Sequence, residues 1–67
     1  MDVWVNKNEK GRKGESIFVA AHNADEAAKV CSEDKSLHYT YNKEKWFRAK
    51  SSKAECDRPM VIMEDYI

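Results

Sequence analysis

Two cysteines and two histidines are the residues of this chain best suited to chemistry. Cys31, Cys56, His22 and His38 together are the ligand types of a tetrahedral structural zinc site. Their spacing opposes that use, because the chain holds no closely spaced Cys or His pair to organise a metal locally. A thiol nucleophile would need a lowered pKa, a base in contact and an oxyanion donor. Nothing in the order of residues brings Cys31 or Cys56 into such an arrangement with either histidine. Cys31 falls instead on the apolar side of a helical pattern, where a reduced cysteine acts as a small hydrophobe. Glu64 and Asp65 are adjacent carboxylates on a terminal strand, and they read as solvated charges that discourage strand pairing rather than as an acid/base pair. No Gly-rich phosphate loop, catalytic signature or cofactor motif is present. These residues predict a chain that is not an enzyme, with no metal and no cofactor.

The elements that would position any site must come from 67 residues, a length that fits one domain. A domain this small buries about 60% of the surface its unfolded chain exposes. Seven aromatics, Trp4, Phe18, Tyr39, Tyr41, Trp46, Phe47 and Tyr66, carry much of the material for a core. Residues 2–6 alternate, with Val3 and Val5 on one face and Asp2, Trp4 and Asn6 on the other, as in a strand. A polar stretch holding both glycines, residues 7–14, then reads as a hairpin loop. Glu15 to Ala21 forms the second strand, apolar on both faces and therefore interior to the sheet.

Asn23 and Glu26 mark the start of a helix. The Asn23 side chain caps the first turn, and Glu26 reaches back in a capping box. Ala24, Ala27, Ala28 and Cys31, widened by Val30, form its apolar face. The helix ends near Glu33 to Lys35. Leu37 to Tyr41 alternates as a third strand, Asn42 to Lys45 is a turn, and Trp46 to Lys50 a returning strand. A short helix over Lys43 to Lys50 is the rival reading of that stretch. A polar loop over 51–59, with a helical turn at Ser52–Glu55, precedes a last strand from Met60 to Ile67. In that strand Val61 and Met63 face one way, and Ile62, Glu64 and Tyr66 the other. The predicted class is α+β, a small antiparallel sheet in chain order β-β-α-β-β-β with one amphipathic helix on one face.

Twelve basic and twelve acidic side chains cancel, which excludes a general polyanion binder or an acidic mimic of nucleic acid. The charges are nevertheless segregated along the chain, basic at 7–13 and 43–53, acidic at 25–35 and 55–65. Basic residues and aromatics interleave over 39–50, a pattern with which single-strand binders stack bases and hold phosphates. Core packing is the competing use of the same aromatics. Trp4, opposite Val3 and Val5, would lie on an open sheet face if the helix covers the valines; an exposed aromatic there marks a protein contact or a homodimer face, and a second layer of residues 43–59 folded over it is the equal alternative. The chain begins without a basic-then-apolar leader and holds no apolar run of membrane-spanning length, so a cytoplasmic location with reduced cysteines is expected.

The run of a strand, a basic loop, a strand ending Val19-Ala20-Ala21 and a helix opening Asn23-Ala24-Asp25-Glu26-Ala27-Ala28 resembles small phage- and mobile-element-encoded α+β proteins. These include host-defence inhibitors such as anti-CRISPR proteins. The resemblance spans residues 1–35 and transfers no site residue. It implies action by occupying a partner's surface rather than by chemistry. The expected function is thus a non-catalytic protein-interaction module that binds and inhibits or modulates a host complex, a nucleoprotein assembly included. The alternative is direct nucleic-acid binding through 39–50 and the basic loop. Trp4, Lys10, Arg12, Lys13, Tyr41, Lys43, Lys45, Trp46, Arg48 and Lys50 are the candidate contact residues, and no membrane partner is expected.

Overall fold

In the computed structural model the described residues are 1–7, 16–38 and 40–65. Five elements follow one another: β1 (Asp2–Lys7), β2 (Ser16–Ala21), α1 (Ala24–Glu33), β3 (Phe47–Lys53) and β4 (Met60–Asp65). The four strands make one antiparallel sheet in the order β3-β1-β2-β4, and α1 packs against β2 and β4, so the fold is α+β. β2 is interior, in keeping with the apolar residues on both its faces. The loop joining β1 to β2, with Lys10, Arg12 and Lys13, lies outside the described residues.

The helix starts where capping chemistry places it. Asn23 has an extended backbone and accepts the Glu26 N–H at 2.8 Å, while Glu26 Oε1 accepts the backbone N–H of His22 at 2.8 Å. Asp25 and Glu26 in the first turn also face the positive end of the helix dipole. Ala27 is fully buried against Ile17, Val19 and Ala21 of β2, and Tyr41 completes this cluster. A small side chain at Ala27 lets the helix lie close on the sheet.

Directly opposed residues of paired strands project to the same side, so the register assigns both faces. Trp4, Val19 and Val61 form one row beneath the helix, with Arg48 at its β3 end. Asn6, Ile17 and Glu64 form the next. Asn6 is fully buried, and its amide donates to the carbonyl of Asn42, tying the turn before β3 to the sheet. On the opposite face a single row crosses all four strands: Phe47, Val5, Phe18 and Met63.

Several expectations are corrected. Leu37 to Tyr41 is not a strand: Leu37 and the buried Tyr41 turn into the helix-side core, and the described backbone between them runs without regular pairing. The sheet therefore has four strands rather than five. The turn at 42–45 and the strand that follows it stand as expected, with Lys45 N–H bonded to Asn42 O at 3.2 Å, and the rival helix over 43–50 does not form. β3 continues to Lys53, so Ser52–Glu55 forms no helical turn. The helix covers the Trp4 face and not the valine face, and Trp4 Nε1 donates to the carbonyl of Ala21 at 3.1 Å. In β4 a register shift between Phe18 and Val19 inserts Ile62 as an extra residue. That bulge reverses the alternation, so Met60 and Met63 point to the open face, while Val61 and Glu64 point toward the helix.

Candidate interaction surface

The face of the sheet away from α1 carries Val3 and Val5, each 7% exposed, and the fully buried Ala20. Their neighbours are not so well covered. Phe47 (50%), Met60 (42%), Ile62 (46%) and Met63 (52%) are the large apolar side chains that stand exposed among the described residues. Phe47, Met60 and Met63 belong to this face by register, and Ile62 joins it through the bulge. The chain leaving β3 folds back beside Val3, and residues 52–56 line a shallow groove of about 370 Å³ with Val3, Phe18, Ile62 and Met63. An apolar side chain fits there, against the Phe18 ring and the flexible Met63, which adapts to its shape.

Most of the expected aromatic contacts are elsewhere. Trp4 and Trp46 pack against the helix-side core, and Tyr41 is a member of it. Of the residues expected to meet a partner, the described ones left at the surface are Lys43, Lys45, Arg48 and Lys50. They gather along β3 and the turn before it, at the edge of the sheet next to Phe47. Lys53 belongs with them: it bonds Asp2 Oδ1, whose other oxygen lies 3.9 Å from Arg48. The hydrogen bond from Lys53, reinforced by the positive charges of Lys53 and Arg48, holds the Asp2 carboxyl below its ordinary range. Phe47, Met60, Ile62 and Met63 are exposed apolar residues that the sequence does not single out. The β4 bulge that exposes the last two leaves no mark in the local alternation.

The candidates for chemistry are dispersed. Cys31 sits on the helix side and Cys56 in the groove of the opposite face, and both are free thiols. Desolvation, with smaller contributions from Asp34 and Glu64, pushes the Cys31 thiol above its usual value, so it is held in the protonated, unreactive form. His22 Nδ1 lies 2.8 Å from Glu26 at the helix start, and His38 Nδ1 lies 3.0 Å from Glu64. No group of three or more His, Cys, Asp or Glu among the described residues could hold a metal ion.

Glu64 has a structural part that the sequence does not announce. Its side chain is 7% exposed, and its two oxygens accept the backbone N–H of His38 at 2.8 and 3.0 Å and the Tyr41 hydroxyl at 2.8 Å. It is therefore not the solvated charge expected at this position. The carboxylate fastens His38 and Tyr41 to β4 and so encloses one side of the core.

Comparison with protein-family models, with curated proteins and with solved structures finds no match to this chain. Among the described residues no helix is long and apolar enough to cross a membrane.

Proposed function

We propose that this chain is a non-catalytic protein-interaction module that docks through the open face of its sheet. The observation that carries this reading is the exposure of Phe47, Met60, Ile62 and Met63, each about half exposed, on one face of the sheet, where Ile62 and Met63 line a groove. Full burial of such a side chain is worth about 1.5–3 kcal/mol, so completing four half-burials contributes roughly 4 kcal/mol from this chain. Doubled for a partner's matching surface, that is of the order of the 4–15 kcal/mol or so that association costs. The face can anchor a partner, and the charged rim must supply the rest. Occupying a surface of a host complex in this way would inhibit or modulate it without any reaction, the mode that the likeness to small phage proteins implies.

Nucleic acid at the basic edge is the second reading, favoured by Lys43, Lys45, Arg48 and Lys50 beside Phe47. It is the weaker one, since Tyr41 and Trp46 are occupied in the core and, among the described residues, leave one exposed aromatic there rather than a stacking platform. The test is affinity capture from a host extract with the native chain and with Met63→Glu, after both are confirmed folded by circular dichroism. The native chain is expected to retain a reproducible protein, or to self-associate in sedimentation, and Met63→Glu to lose it. Equal capture by both chains, or recovery of nucleic acid without protein, would sink the reading.

A further inference from the structure

We infer that the free edge of β3 receives an extended acidic segment of a protein partner as a fifth strand. This rests on the protein-interaction reading and adds to the open face a second contact surface with its own chemistry. β3 is a terminal strand of seven residues, six of them exposed, and among the described residues its outer side pairs with no strand. A strand edge presents a row of unpaired N–H and C=O groups, and proteins recognise extended peptides by adding a strand to such an edge.

Charge selects both the edge and the partner. Along β3 and its preceding turn stand Lys43, Lys45, Arg48, Lys50 and Lys53, against Glu44. Asp2 lies close to Arg48 and Lys53, whereas Lys43, Lys45 and Lys50 make no ion pair among the described residues. At the other edge, β4 ends in the exposed Asp65 and is preceded in the chain by Asp57 and Arg58, so it lacks the run of bases that β3 carries. An acidic strand is attracted to β3 and not to β4. Lysines on an edge also hinder pairing between copies of one chain, and that hindrance becomes attraction when the incoming strand is acidic.

Register specifies the incoming strand further. Phe47 points to the open face and Arg48 to the helix side. A residue added opposite Phe47 meets an aromatic surface, and its neighbour opposite Arg48 meets a cation. At these two positions, ahead of the register shift between Arg48 and Lys53, the matching segment sets an apolar residue beside an acidic one, a pattern that a single-stranded nucleic acid cannot supply with its evenly charged backbone.

The probe is a short peptide alternating valine and glutamate, titrated against the full chain by nuclear magnetic resonance. Amide shifts and slowed hydrogen exchange are expected over residues 47–53. Methylating the alternate peptide nitrogens that face β3 should abolish binding, while methylating the other set should not. Lys45→Glu combined with Lys50→Glu is expected to lower affinity about tenfold, as two exposed attractions become repulsions. Met63→Glu, three strands away, should leave this binding unchanged. Absence of binding at millimolar peptide, indifference to which nitrogens are methylated, or displacement by an equal concentration of single-stranded DNA would each overturn the inference. If the peptide fails while Met63→Glu still loses its captured protein, the open-face reading stands and the added strand falls. If the peptide binds and Met63→Glu loses nothing, the reverse holds.

Discussion

Replacing Glu64 by alanine tests whether one carboxylate closes the core. Among the described residues its donors include the backbone N–H of His38 and the hydroxyl of Tyr41, the latter on a residue only 8% exposed. A hydrogen bond to a charged group is worth about 1.5–3 kcal/mol. The low end applies to both here, because the exposed His38 N–H can turn to water, and two such bonds give a loss of about 3 kcal/mol. The contact with the His38 ring adds little, since the imidazole is half exposed. A domain of this length has a total stability of roughly 3–10 kcal/mol, so the substitution should remove a large part of it. Urea unfolding followed by the fluorescence of Trp4 and Trp46 reads the change. The melting temperature should fall as well, by about 4–8 °C for each kcal/mol. Tyr41→Phe should cost about half as much, and the double variant should lose less than the sum, because both changes delete the same bond. Asp65→Asn, on the exposed neighbour, should stay within about 0.5 kcal/mol of the native chain. A loss below about 1 kcal/mol for Glu64→Ala would refute the reasoning. So would a Glu64→Gln chain more stable than the native one, for then desolvating the carboxylate would outweigh the bonds it accepts.

Acid should weaken the fold through three surface carboxylates. Asp2 is lowered by its bond from Lys53, Glu26 by the backbone N–H of His22, and Asp34 by the hydroxyl and N–H of Ser36. Each folded value lies below the unfolded one, so this stability is present above the ordinary carboxylate range and is lost as pH falls through the lower, folded values. Asp2→Asn should flatten that fall in a series of urea titrations, and an unchanged slope would contradict the assignment. With Cys56→Ser in place, Cys31 should react with a thiol reagent at neutral pH more slowly than glutathione does, because burial favours its protonated form; faster reaction would reopen a nucleophilic role.

The parts of the fold legible in the sequence are those fixed by neighbours along the chain. Asn23 and Glu26 sit three residues apart and satisfy each other's backbone groups, so the helix start is determined without reference to the rest of the molecule. The alternation in 2–6 and 16–21 likewise survives intact, because both strands lie inside the sheet and every residue has an opposed partner. What sequence could not supply is which of two apolar faces the helix would cover. The valine face and the Trp4 face look equally buried in pattern; Ile17, Val19 and Ala21 decide it by sharing a side with Trp4, and that depends on the pairing of β1 with β2. The expected functional residues moved for the same reason. Once Trp4, Tyr41 and Trp46 are drawn under the helix, the aromatics expected to meet a partner become core. The exposed surface passes to residues brought together only by strand order: Phe47 from one edge, and Ile62 and Met63 from the other. An apolar face bounded by a basic edge and an acidic one is a property of the sheet β3-β1-β2-β4, in which chain neighbours β3 and β4 end farthest apart. That separation keeps the bases of the β3 edge apart from the acidic residues near β4 in a chain whose total charge is zero.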